Sequence, residues 1–364
     1  WRGYMVSKVA LNPDHPGHRF TIGSLETLAG DVGGDLMKFF AENYSADQMG
    51  LVVLSNQSLA DLEALVTPLF SQVKNNDIGP SYPSQALFAP AQLPAVLSSI
   101  SLKEKYKIAY NFPMPNTREV YKTKPEQYIS NLLGHEGKGS LHSVLNARGW
   151  IESLSAGTQS FDRQNSLLAI NIELTEEGRL HIPEITDVLF QYIDLLKAES
   201  PEERIYAEQA KVAELNFRFQ EKGSTVGFVY QMAPRLDEYP AQDLLVAPYL
   251  MEGFDASLIT KSLSYLRKDN LMMEISAPEL ETDRVEPWFS VPYSLNVGEI
   301  ETAEFADAKL NLPAVNPYLP SNLDLLPKDD EGISLVSDSS NLQIWLDSDV
   351  SFGTPRANSR IQLL

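Results

Sequence analysis

Apolar positions along this chain recur with two spacings, one near 3.6 residues and one of two, and the switches between them mark out its elements. Trp1, Tyr4, Met5 and Val9 fall on one face of an opening helix. Residues 35–44 place Leu36, Met37, Phe39, Phe40 and Tyr44 on one side of a second helix, and Leu51-Val-Val-Leu54 then reads as a buried strand. Ser58-Leu-Ala-Asp61 resembles a capping box with aspartate in the usual Glu/Gln place. It opens a helix with the stripe Leu62, Leu65, Val66, Leu69, Phe70 and Val73. Pro80, Pro83, Pro90 and Pro94 follow, and because proline stops helices and stiffens extended chain, they mark the domain boundary.

Beyond the boundary, residues 107–112 read as a strand. Tyr128, Ile129, Leu132 and Leu133 form a helix face that runs into Gly134, Gly137 and Gly139, and a second amphipathic turn (Leu141, Val144, Leu145) is stopped by Gly149. Residues 150–158 should be a strand with Leu154, Ala156 and Thr158 on one face. Leu168, Ile170, Ile172 and Leu174 alternate as a half-buried strand does. A long helix carries Ile185, Leu189, Ile193 and Leu196, Pro201 opens another that runs through Phe219, and residues 241–266 form a third helical region. A strand at 271–275, an extended proline-rich segment at 310–332, and short strands at 345–346 and 361–364 complete the reading.

Residues 44–59 also align without gaps to residues 265–280, with Tyr, Ser and Leu at equivalent places and an apolar strand between them. Any helix–turn–strand unit can match over so short a span, and so can a duplication. Helices alternating with antiparallel-compatible strands point to the α+β class with two related α/β domains. The divisions are 1–76 for the first domain, 77–94 for the linker, 95–306 for the second, and 307–364 for an extended segment returning to them. A chain of 364 residues is long enough for two cores.

Charge narrows the functional classes. The 49 acidic and 29 basic residues give a net charge of −20, which disfavours nucleic acid and anionic membranes as partners and suits cationic peptides. No apolar run approaches the ~20 residues of a membrane span. Without cysteine there are no disulfides, thiolate nucleophiles or Cys-type zinc sites. Of the five histidines, His15 and His18 flank a Pro-Gly turn, while His135 and His142 are seven apart among glycines, not the three or four that two helical metal ligands need. No G-x-S-x-G is present, and Gly137-Lys-Gly-Ser140 lacks the ending of a phosphate loop. The glycines of 134–139 either join two helices or bare a backbone edge to an extended peptide.

The block from Tyr128 to Trp150 resembles a signature of the pitrilysin/insulysin zinc peptidases, the H-x-x-E-H inverzincins. Further matches run along the chain in order: Asn12-Pro-Asp-His-Pro16, Gly23-Ser-Leu-Glu-Thr27, Leu174-Thr-Glu-Glu-Gly178, Phe190-Gln-Tyr-Ile193, Asn316-Pro-Tyr-Leu-Pro320 and residues 346–356. The resemblance implies pitrilysin-type domains, the first truncated at its N-terminus, in a zinc-dependent metalloendopeptidase that degrades oligopeptides in an enclosed chamber. No H-x-x-E-H occurs here, so it implies that this chain follows the zinc ligands and alone neither binds zinc nor cleaves peptides. It carries over a substrate exosite onto Gly134, Glu136, Leu154, Ala156 and Thr158, with Ala156 and Thr158 standing where insulysins more often have Gly and Gln. The implied partners are peptide substrates and the C-terminal half of the same polypeptide. The implied compartment is the periplasm, with the cytoplasm as alternative. The other class of function is a catalytically inactive homologue acting as a peptide-binding or assembly subunit.

Overall fold

Capping, rather than burial, accounts for two of the helices of the N-terminal region, while the first is held by burial. The computed structural model describes residues 1–306, 308–325, 333–340, 342–347 and 353–355. Helix α1 (Arg2–Ser7) buries Met5 and Val6, while Trp1 and Tyr4, expected on its packed face, are exposed. Helix α2 (Val32–Asn43) begins where the Asp31 carboxylate accepts from Gly34 N–H at 3.0 Å. Helix α3 (Leu59–Phe70) begins where Ser58 Oγ accepts from Asp61 N–H at 3.2 Å, the N-cap half of the expected box, while the Asp61 carboxylate accepts from the Ser58 hydroxyl at 2.6 Å. Neither α2 nor α3 buries a residue; Phe39, Phe40, Leu65, Leu69 and Phe70 are all exposed. Residues 51–54 are not a strand, because within the described residues no ladder partner meets their backbone.

After the proline-rich stretch the chain builds one mixed sheet with helices on one face. Strands β1 (Ala95–Ile100) and β2 (Tyr106–Pro115) lead into helices α4 (Pro125–Leu133) and α5 (Leu141–Ala147). The hairpin β3 (Ile151–Ser160) and β4 (Asn165–Leu174) follows, then helices α6 (Ile182–Ala198), α7 (Glu203–Arg218), α8 (Thr225–Glu238) and α9 (Ala256–Leu263). Strands β5 (Met272–Ala277), β6 (Arg284–Glu286) and β7 (Val291–Val297) complete the sheet in the order β3-β4-β2-β5-β1-β7-β6. Only β1 and β5 run parallel; the other neighbours are antiparallel. A separate ribbon pairs β8 (Ile333–Asp338) with β9 (Gln343–Asp347).

Strand alternation decides what each face meets. Leu168, Ile170, Ile172 and Leu174 of β4 are buried in turn, and Ile108, Tyr110 and Phe112 of β2 join them under Ile129, Leu133, Leu141, Leu145, Ile185, Leu189 and Ile193. Each such aliphatic side chain contributes about 1.5–3 kcal/mol on burial. Neighbours in β5 part company: Met273 enters this core, whereas Met272 packs with Val6, Ala10, Ala95, Leu97 and Val291. Adjacent strand residues point to opposite faces, so α1 sits on the side of the sheet away from the other helices.

Helix α8, capped by Ser224 accepting from Gly227 N–H at 3.0 Å, lies ahead of the expected third helical region. Within 241–266 only α9 is a full helix. Residues 241–243 and 247–249 are short 3-10 turns, since Pro240 and Pro248 lack the N–H that a continuous helix needs. Helix α7 starts at Glu203, with Pro201 just ahead of its cap rather than inside its first turn. The second copy of the internal echo contains β5, while the first forms no strand. Residues 361–364 lie outside the described residues, as do 326–332 of the proline-rich segment, whose residues 310–325 are irregular.

Candidate functional site

Helix α4 is aimed by its first residues. Lys124 takes a left-handed conformation (φ 43°), and its ammonium donates to Ala247 O at 2.8 Å and Pro248 O at 2.6 Å, tying the 247–249 turn to the start of the helix. Burial draws the Lys124 ammonium down to about 8, with Glu126 pulling the other way. Pro125 supplies the fixed φ suited to a first helical position. From there Tyr128, Ile129, Leu132 and Leu133 face the core, and Glu126, Ser130 and Gly134 follow one another at four-residue intervals along a different stripe.

That polar stripe borders an open cavity of about 1160 Å³ lined by α4, the edge strand β3, α7 and residues 313–318. The far wall is held by Arg204, whose guanidinium bonds Glu208 at 3.1 Å, Glu202 at 3.0 Å and Pro313 O at 2.8 Å. Gly139 secures the same wall with a φ of 82°. A Cβ there would lie 2.9 Å from Asn311 Nδ2, and its carbonyl accepts from Asn311 N–H at 2.9 Å.

All five residues singled out in the sequence line this cavity. Gly134 lies against β3: a Cβ on it would be 3.3 Å from Ala156 N and 3.2 Å from Ser130 O, so glycine permits the close approach of helix end to strand. Ala156 and Thr158 are half-buried and point to the helix side, as the period of two requires. Leu154 points the same way but is only 7% exposed and belongs to the core, so it braces the strand. Glu136 is exposed at the rim. Strand β3 pairs with β4 alone and ends the sheet, which leaves its other edge without a strand partner among the described residues.

The glycine-rich turn has an internal support. His135 Nδ1 accepts from Gly137 N–H at 2.9 Å. Burial lowers the His135 imidazole, against the opposing pull of Glu136 and Glu208. Among the described residues, no group of three or more His, Cys, Asp or Glu side chains is arranged to hold a metal ion. None of their helices is long and apolar enough to cross a membrane. Sequence reasoning missed Glu126, Ser130 and Gln209, which also line the cavity. The four-residue spacing of Glu126, Ser130 and Gly134 was the available signal for the first two.

Comparison with known proteins bears on what such a cavity belongs to. Residues 33–212 match the family description "Peptidase M16 inactive domain", and residues 217–364 match "Middle or third domain of peptidase_M16". The chain is 34% identical to human insulin-degrading enzyme over 375 residues, covering 98% of this chain and 37% of that protein. It is 31% identical to insulin-degrading enzyme-like 1, peroxisomal, of Arabidopsis thaliana over 374 residues, covering 98% of this chain and 38% of that one. The chain thus spans well under half the length of these relatives. Its fold is that of the pitrilysin crystal structure, with a TM-score of 0.86 at 24% identity, covering 96% of this chain and 39% of that one. The two family matches together take in most of the chain, and with the fold they establish that it belongs to the pitrilysin/insulysin family of metalloproteases.

Proposed function

We propose that this chain is part of a zinc-dependent metalloendopeptidase of oligopeptides, and that it supplies a wall of the substrate chamber and an exosite rather than the zinc site. The observation that carries the reading is the free edge of β3 lying along the cavity, with Gly134 close against Ala156. An extended peptide added to that edge would be held through main-chain hydrogen bonds, largely regardless of its sequence. Glu136, exposed at the rim, is then placed to meet the α-ammonium group of the peptide. The apolar stripes of α2 and α3 support a longer polypeptide whose other parts cover them, in keeping with domain divisions at 1–76, 77–94, 95–306 and 307–364.

Among the described residues, no cluster of His, Asp and Glu side chains fits a zinc site. His15 is bonded to Asp162, His135 to the Gly137 backbone, and His181 to Glu177 and Glu184. In this reading the metal ligands belong to another part of the parent enzyme, and the compartment is the periplasm, which cell fractionation checks.

Backbone methylation tests the edge-strand reading. In an antiparallel or parallel addition only alternate N–H groups of the peptide point at β3. A peptide N-methylated at one set of alternate residues should lose binding, while the other set retains it. Equal binding of both, or equal loss, would overturn the reading. Glu136→Gln in the parent enzyme should weaken free-amine peptides more than N-acetylated ones.

A further inference from the structure

Buried polar atoms without a partner in the protein gather in one place. Among the described residues there are six such side-chain atoms, and five of them belong to Glu126, Ser130, Thr158 and Gln209, all on the wall of the cavity beside β3. They are Glu126 Oε2, Ser130 Oγ, Thr158 Oγ1 and both amide atoms of Gln209. Native proteins pair nearly all such atoms, and leaving one unpaired costs stability. Five such atoms, on four side chains around one cavity, therefore point to a ligand that completes them.

Three elements bring these side chains together. Glu126 and Ser130 are one turn apart on α4, in the stripe that ends at Gly134. Thr158 shares its face of β3 with Ala156, which touches Gly134. Gln209 comes from α7, across the cavity. A peptide lying along β3 would send alternate side chains to this same face.

The chemistry selects a cation. Glu126 Oε2, Ser130 Oγ, Thr158 Oγ1 and Gln209 Oε1 are four acceptors, one of them a carboxylate oxygen. A guanidinium offers five N–H donors in a planar fork, whereas a carboxylate or phosphate ligand would face the Glu126 carboxylate. Glu208, also on the wall, is already matched by Arg204 at 3.1 Å and Glu136 is exposed at the rim, so Glu126 is the acid with a buried, unpartnered oxygen beside Ser130 and Thr158. Burial raises the Glu126 carboxyl above its ordinary range; its own N–H, Thr117 and Lys124 act the other way.

We propose that Glu126, Ser130, Thr158 and Gln209 form a subsite for a basic side chain, arginine above all, of a peptide extended along β3. The inference rests on the edge-strand reading above and adds a side-chain preference to it.

The test compares labelled, N-acetylated peptides that differ at one interior position, arginine against citrulline, by fluorescence polarisation with the 364-residue chain. Citrulline keeps the shape and loses the charge, and acetylation removes the α-ammonium as a competing cation. The arginine peptide should bind about tenfold tighter. Glu126→Gln should bring it to the citrulline level while leaving the citrulline peptide unchanged, and Thr158→Val should narrow the gap without abolishing it. Equal binding of the two peptides to the unaltered chain, or an arginine preference that survives Glu126→Gln, would overturn the subsite and leave edge binding standing. If neither peptide binds, the edge-strand reading falls and the subsite with it.

Discussion

His15 Nε2 and Asp162 Oδ2 meet 3.1 Å apart, joining the N-terminal region to the turn between β3 and β4 across 147 residues of sequence. His15 Nδ1 accepts from Gly17 N–H at 3.0 Å, so in a neutral ring the proton sits on Nε2 and is donated to Asp162. The ring is 2% exposed and packs edge-on to Phe161. His15→Ala should destabilise the chain by about 1–3 kcal/mol, the usual cost of stripping a buried partner, as measured by denaturant unfolding. Burial pushes the Asp162 carboxyl up, but hydrogen bonds from the Asn165 side chain and the Gln164 and Asn165 backbone, with His15, bring it below its ordinary 3.8. A lowered native value stabilises the fold above pH 3.8, and that contribution is lost as pH falls through the native value. The stability difference between the chain and Asp162→Ala should therefore shrink in acid.

The buried pair Tyr110 and Thr186 gives an asymmetric pair of mutants. Thr186 donates its hydroxyl to Ile182 O at 2.7 Å, so the 2.8 Å contact with Tyr110 is a bond donated by the phenol. Burial also raises the Tyr110 phenol, which keeps it a donor. Tyr110→Phe removes donor and bond together and should cost about 1 kcal/mol; Thr186→Val leaves the phenol unanswered and should cost about 1–3 kcal/mol. Unfolding curves that reverse this order would show the hydroxyls to be bonded otherwise.

At Gly139 the backbone conformation and the neighbour both exclude a side chain. With φ at 82° and Asn311 atoms at 2.9–3.2 Å from an added Cβ, Gly139→Ala should cost about 1–2 kcal/mol. It should also free the segment that follows Asn311, so limited proteolysis ought to cut near residues 311–318 in the variant before the parent chain.

Lys124 gives a pH signature with the same sign of slope as Asp162, but in the alkaline range. Burial takes its ammonium from 10.5 to about 8, so between these values the unfolded chain holds more protons than the folded one. Stability contributed through Lys124 should rise as pH increases from about 8 towards 10.5. Comparison with Lys124→Met across that range isolates the effect; a flat difference would place the ammonium's native value near its ordinary one.

What could be read in advance divides by range along the chain. Leu168, Ile170, Ile172 and Leu174 announced β4 because all four are buried on one face, and Gly149 announced the end of α5 by the left-handed turn it makes (φ 69°). Strand β1, Ala95-Val-Leu-Ser-Ser-Ile100, carries serines where a core strand would carry aliphatics, and its place between β5 and β7 depends on pairing far along the chain. Helix α8 was hidden by Gly227 and Pro234. Residues 51–54 have the composition of a strand, but strand formation needs a partner, which composition does not supply. The cavity was legible on its α4 and β3 sides because each is local; Gln209 joins only because α7 comes alongside.

The strand order also sets a schedule for synthesis. Strands β2, β3 and β4 are neighbours in the sheet and are all present once residue 174 has been made, so a growing chain can assemble the edge that borders the cavity from short-range pairings. Strand β1, although made earlier, must wait for residues 272–277 and 291–297 before either neighbour exists. Until then the two sides of β1 stay open while the ribosome is still at work, and the N-terminal helix that packs on it has nowhere to settle. The cavity edge of the molecule is thus the first to take shape, and its junction with the N-terminal region the last.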